Sequence, residues 1–244
     1  RPAPAEPMRI QRALARAGVA SRRAAEALIT GGRVTVNGAV AVTGQTVDPA
    51  RDAIAVDGKR IAAPPAVEWV VLNKPAGVLT TRHDEGGRET VFDLVPDVAG
   101  LTYVGRLDYM TEGVLLLTTD GDAAHWLTHP SSEVRRSYVA VVRGNAGAAA
   151  KEARRGVPLD DGLVVPIDVD ASSLGKGRWE FFITITEGRN REVRRVCEAL
   201  GLEVERLVRL EFGPVRLGAL KPGETRPLSA AERRAIDTLV RARR

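Results

Sequence analysis

Apolar positions recur at helical spacing in two short stretches near the start of the chain. Ile10, Ala13, Leu14 and Ala17 form one stripe, and Ala24, Ala25, Leu28 and Ile29 form a second. This predicts two amphipathic helices within residues 8–30. Gly18 is placed to stop the first, Ser21 to cap the second, and Gly31-Gly32 to end it. The period then drops to two. Val34-Thr35-Val36 and Ala39-Val40-Ala41-Val42 flank Asn37-Gly38, the strongest short-range hairpin signal. A further strand is expected from Asp52 to Val56, turning at Asp57-Gly58. The first part of the chain therefore reads as a compact helix-helix-hairpin module over 8–60, small for a domain.

Residues 61–67 read as a linker and 68–244 as a second domain. Strands are predicted at Trp69–Leu72, Val114–Leu117, Arg135–Val142, Leu163–Val169, Trp179–Thr186 and Val204–Phe212, with Val215–Leu217 following. Helices are predicted at 122–128, 145–155 and 192–200, and a last one opens at the capping box Ser229-Ala230-Ala231-Glu232. Thr80 to Glu89 is a polar loop. Strands interrupted by helices without a regular βαβ rhythm imply an α+β fold with a mixed, mainly antiparallel sheet.

Charge sharpens this picture locally more than globally. The net charge of +5 favours nucleic acid only weakly. Its placement says more: Arg9, Arg12, Arg16, Arg22, Arg23 and Arg33 lie beside the two helical stripes, against the lone acid Glu26. A merely solvated face mixes signs, whereas the guanidinium fork suits phosphate. The chain shows no run as long as a membrane span, and residues 1–7 read as a disordered tail without the apolar segment of a leader. The single Cys197 excludes an internal disulfide and suits a reducing cytosol.

Several chemistries lack their motifs. No Gly-x-Gly-x-x-Gly follows a strand and no Walker loop is present, so nucleotide cofactors have no support. His125 and His129 stand four apart on a predicted helix, but Trp126 occupies the place where a zinc hydrolase needs Glu and no third ligand suggests itself; no metal site is expected. Cys197 falls on an apolar helical face and reads as core. What remains is carboxylate chemistry. Asp108 sits between Arg106 and Tyr109 on a polar loop entering the buried run Val114–Leu117, and a basic cluster, Arg189, Arg191, Arg194 and Arg195, opens a distant helix. From the residues alone, a structural ion pair between Asp108 and Arg194 is the commoner arrangement, and a catalytic carboxylate is the alternative.

Longer motifs bear on that choice. Ile10–Arg23 followed by Gly32-Arg33-Val34-Thr35-Val36-Asn37-Gly38 resembles the "S-four" (alpha-L) RNA-binding module. Gly105-Arg106-Leu107-Asp108, with Thr111, Gly113 and Leu115–Gly121, resembles the signature motif of the RsuA/RluB family of rRNA pseudouridine synthases. Leu72–Gly77, Arg88–Pro96 (with Glu89 where Pro is more usual), His129-Pro130-Ser131, Tyr138–Val141 and Ile185–Arg195 are similar to further motifs of that family, in the same order. Asn190-Arg191-Glu192 resembles the large-subunit rRNA branch more than the small-subunit branch. The resemblance implies cofactor-free isomerisation of a uridine in structured rRNA by a cytoplasmic monomer. Asp108 would be the essential carboxylate, Arg194 its partner favouring the charged form, and Tyr138 the ring packed on the base. Arg106 would fill the place of the flipped nucleotide and Ile185 would form the apolar floor. The first-module arginines, with Arg189 and Arg191, would contact RNA. A non-catalytic rRNA-binding protein, a small-subunit synthase and an RNA methyltransferase are the other readings weighed; the missing Gly-rich loop speaks against the last.

Overall fold

The computed structural model describes residues 7–62 and 66–241. The predicted tail, apart from Pro7, and the middle of the predicted linker lie outside the described residues. The chain forms two compact units: Arg1–Glu68 with Asp97–Thr102 and Thr118–Asp120, and Trp69–Pro96 with Tyr103–Leu117 and Gly121–Arg244.

In the first unit the two helical stripes become helices Ile10–Arg16 and Arg22–Thr30. Ser21 Oγ accepts from Ala24 N at 3.2 Å, the capping bond expected of it. Val34–Val36 pairs antiparallel with both Ala39–Val40 and Ile54–Val56. The turn residues Asn37, Gly38, Asp57 and Gly58 all take positive φ, the requirement that selects Asn-Gly and Asp-Gly in tight hairpins. Ile10, Leu14, Ile29, Val34, Val47 and Ile54 close one apolar core between helices and strands.

The second unit is built on one mainly antiparallel sheet. Its strands run in the order Asp168–Gly175, Arg178–Ile185, Arg136–Arg143, Glu203–Phe212, Thr111–Thr118, Trp69–Lys74 and Thr225–Pro227. The two most continuous apolar strands, Trp69–Lys74 and Thr111–Thr118, are buried almost throughout, as befits interior strands covered on both faces. Arg136–Arg143 alternates buried and half-buried positions. A parallel contact joins Leu207–Arg209 to Thr111–Gly113. Gly113 is required there: its φ is +106°, and a Cβ would stand 2.2 Å from the Arg209 carbonyl oxygen. Helix Glu192–Ala199 packs on Glu203–Phe212, burying Val193, Val196 and Cys197. Burial pushes the Cys197 thiol up to about 12, so it is core. Helix Ala230–Arg241 opens with reciprocal bonds, Ser229 N to Glu232 Oε2 at 2.7 Å and Glu232 N to Ser229 Oγ at 3.2 Å.

Two elements differ from expectation. The single strand predicted at 163–169 is divided: Gly162–Val164 pairs with Val157–Leu159, and Asp168–Gly175 is the outer strand of the main sheet. Its polar sequence hides it, because an outer strand with a solvated face needs no apolar alternation on that side. Thr225–Pro227 is a further outer strand, pairing with Val70–Leu72; Pro227 masked it, yet proline is tolerated where a strand has no second neighbour.

Candidate active site

The loop between strands Thr102–Val104 and Thr111–Thr118 carries Arg106 and Asp108, and its backbone is held at each successive carbonyl. Leu107 O accepts from Thr80 Oγ1 at 2.8 Å, and Asp108 O accepts from Thr111 N at 3.0 Å. Tyr109 O accepts from Gly77 N at 2.8 Å and from Lys74 Nζ at 3.2 Å. Met110 O accepts from Arg194 Nη2 at 3.0 Å, and Thr111 O from Lys74 Nζ at 2.9 Å. Lys74 is fully buried, and burial pulls its ammonium down to about 8. Against this fully held main chain, the Asp108 carboxylate makes no hydrogen bond or ion pair among the described residues. A held backbone presenting an uncommitted carboxylate is the arrangement that a preorganised reactive group requires.

That carboxylate faces a cavity of about 360 Å³. The cavity brings together Asp108, Arg106, Tyr138, Ile185, Arg189, Arg191 and Arg194, all singled out from the sequence. Tyr138 and Ile185 are buried and come from the neighbouring strands Arg136–Arg143 and Arg178–Ile185. Arg106 is exposed at the cavity, and its guanidinium makes no hydrogen bond or ion pair among the described residues. Arg194 differs from expectation in its contacts. Its guanidinium rests on the Met110 carbonyl, with Thr111 Oγ1 at 3.5 Å, and no ion pair to Asp108 closes within 4 Å. Burial pushes Arg194 below its ordinary value, Arg191 adds to this, and Asp108 opposes it. The two therefore interact through space, while Arg194 is tied to the loop that carries Asp108. Glu192, buried beneath the helix start, accepts from Arg189 N at 3.0 Å, and burial raises its carboxyl.

The proposed RNA contacts divide by their present partners. Arg189 bonds Glu187 at 2.6 Å and the backbone of Gly162 and Leu163, so it buttresses the 157–164 hairpin. Arg191 is exposed, with Glu198 at 3.9 Å. In the first unit Arg12 pairs with Asp120 at 2.9 Å and is mostly covered, Arg33 forks onto Asp57, and Arg9 donates to Gly44 O. Arg16 is half-buried, while Arg22 and Arg23 are exposed. His129 caps the turn after helix Gly121–Thr128, its Nδ1 accepting from Ser131 N at 3.2 Å, and its ring stacks on Trp126.

Thr80, Arg136, Arg209 and Phe212 escaped the sequence reading. The signal available for the two arginines was a charge inside otherwise apolar strand patterns. Thr80 gives a direct test of the held loop. Its hydroxyl donates to Leu107 O and accepts from Leu107 N at 3.4 Å. Thr80→Val keeps the shape and loses both bonds. Single-turnover rates should fall about 10- to 100-fold with RNA affinity unchanged, and Thr80→Ser should retain the native rate. A Val variant as fast as native would show that the clamp is not needed.

An unpaired carboxylate and a buried tyrosine share one cavity rimmed by arginines, a combination suited to an anionic substrate that carries a flat ring. Residues 68–199 match the RNA pseudouridylate synthase family and residues 8–54 the S4 domain: the chain belongs to the RNA pseudouridylate synthase family and is an isomerase with an RNA-binding S4 domain. It is 43% identical over 231 residues to an uncharacterized RNA pseudouridine synthase of Mycobacterium tuberculosis, covering 92% of this chain and 91% of that protein. It is 45% identical over 241 residues to the ribosomal large subunit pseudouridine synthase B of Pseudomonas aeruginosa, covering 95% of this chain and 61% of that protein. A crystal structure of a pseudouridylate synthase superposes with a TM-score of 0.61 at 27% identity, covering 94% of this chain and 99% of that one.

Proposed function

We propose that this synthase converts one uridine of large-subunit rRNA to pseudouridine in the cytoplasm, as a single chain without cofactor, using Asp108. Residues 8–60 would form the RNA-binding module and 68–244 the catalytic domain. The observation that carries the reading is the uncommitted Asp108 carboxylate on a loop whose every carbonyl from Leu107 to Thr111 is occupied. A protein that only bound RNA would have no need to hold a charge so firmly and leave it unpaired. The reaction breaks the bond from C1′ to N1 of the base, turns the base, and joins C1′ to C5. Tyr138 packs against the ring, where stacking contributes about 1–3 kcal/mol, and Ile185 supplies the floor. Arg106, exposed and unpaired, is free to enter the space of the extruded nucleotide, whose unstacking costs a few kcal/mol. Arg194 holds the loop and lends positive charge. Arg9, Arg12, Arg16, Arg22, Arg23, Arg33, Arg189 and Arg191 meet the phosphates, where RNA displaces such present partners as Asp120, Asp57 and Glu187. The large-subunit assignment rests on the name of the Pseudomonas relative and on Asn190-Arg191-Glu192.

Because C5 gives up its hydrogen, transcripts carrying tritium at uridine C5 report turnover directly. The native protein should release tritium from a large-subunit rRNA transcript and not from a small-subunit one. Release from the small-subunit transcript alone would reassign the substrate.

A further inference from the structure

Two further cations line the same cavity and take no part in the reaction as described for Asp108. Arg136 and Arg209 are only 4% and 2% exposed, and both line the cavity that holds Asp108. Their guanidinium carbons stand 5.3 and 5.1 Å from the ring centre of Phe212. Arg136 is spent on backbone carbonyls: Nη1 donates to Val134 O and Thr186 O, and Nη2 to Leu127 O. Arg209 is different. Its Nε donates to Val114 O at 2.8 Å, but neither terminal nitrogen has a partner among the described residues, and Nη2 is buried. No carboxylate of the described residues lies within 4 Å of either guanidinium; Glu192, the nearby acid, is engaged by Arg189 N. Buried charge without a counter-ion is costly and is retained where it serves a ligand. The register places Arg209 directly across from Tyr138, the ring that packs on the base, and its burial sets it apart from the exposed arginines suited to phosphate.

We propose that Arg209, reinforced by Arg136, binds the departing base and takes up the negative charge that develops on it. This rests on the reading of Asp108 as the reactive carboxylate. When the C1′–N1 bond breaks, its electron pair leaves with the base and spreads from N1 onto the two carbonyl oxygens. The base then turns, C5 bonds to C1′, the C5 hydrogen departs as a proton and N1 gains one, so nothing is gained or lost overall. The base is most anionic between these steps. A buried cation lining the cavity is well placed to stabilise that charge, and the free Arg209 nitrogens have donors for a carbonyl oxygen.

The test compares C1′–N1 cleavage under single turnover in one RNA carrying uridine or 5-fluorouridine at the target. Fluorine makes the base a better anion, so an enzyme lacking the cation should gain more from it. Arg209→Gln should cleave the uridine RNA at least 30-fold more slowly than native, and its fluoro-to-uridine rate ratio should exceed the native ratio at least 10-fold. Arg209→Lys, which keeps the charge, should stay within threefold of the native ratio. Because each ratio is taken within one preparation, a partly unfolded variant gives the same value. Arg136→Gln should shift the ratio the same way by a smaller factor, and decides the matter if Arg209→Gln does not fold. Unchanged ratios, or a slow Arg209→Lys with the ratio of Arg209→Gln, would overturn the proposal. Asp108→Asn is run alongside. If it cleaves at the native rate, the site reading fails and this proposal with it; if it is inactive while the Arg209→Gln ratio matches native, the Arg209 assignment alone is lost.

Discussion

Asp108→Asn is expected to lower tritium release from C5-labelled rRNA by about 10⁴-fold or more, the scale of losing a reactive group. It should leave the melting temperature and RNA affinity as they are. Both halves follow from the same geometry. The carboxylate makes no bond to the protein, so replacing one oxygen by an amide nitrogen breaks nothing that holds the fold. The backbone around it is held by Thr80, Gly77, Lys74 and Arg194 and stays in place. A large fall in stability would instead mark Asp108 as structural, with an ion pair to Arg194 forming in solution. Retained turnover would remove it from the chemistry.

Lys74→Met carries the second large effect, on stability. The ammonium donates to the carbonyls of Pro75, Tyr109 and Thr111 from a fully buried position. A methionine fills the space and leaves two of those acceptors without their donor; Tyr109 O keeps the Gly77 N–H. At about 1–3 kcal/mol for each unsatisfied buried group, the loss should be about 2–6 kcal/mol, read as a lower denaturation midpoint. Its pH dependence has a defined sign. The folded protein gives up the Lys74 proton at about 8, the unfolded chain at 10.5. Between these values the unfolded state binds more protons, so this group's contribution to stability rises with pH across that window and is lost as pH falls through 8. The margin of native over Lys74→Met should therefore widen between pH 7.5 and 9.5. A margin that stays flat would show that Lys74 is not desolvated in the folded state.

Much of this architecture can be read from period and punctuation. Asn37-Gly38 and Asp57-Gly58 announce hairpins because few other residues accept positive φ, and Val114–Leu117 announces a buried strand because nothing polar interrupts it. The outer strands Asp168–Gly175 and Thr225–Pro227 are illegible because their stability comes from a partner strand and not from their own pattern. The site divides in the same way. Asp108, Tyr138, Arg194, Arg106 and Ile185 are recognisable through motifs that resemble a known family, and they converge on one cavity. The clamp on the loop is another matter. Thr80 and Leu107 lie far apart in sequence, and no local pattern says that one hydroxyl bonds both the carbonyl and the amide of the other. Arg209 is hidden for a related reason: its importance lies in the partners it lacks, which only the surrounding packing reveals.

A map of pseudouridines across rRNA from cells with and without the protein shows whether it modifies the large subunit. One or more large-subunit positions should revert to uridine when the protein is absent and be restored by the native chain but not by Asp108→Asn. An identical map in both strains would show that this protein does not modify rRNA.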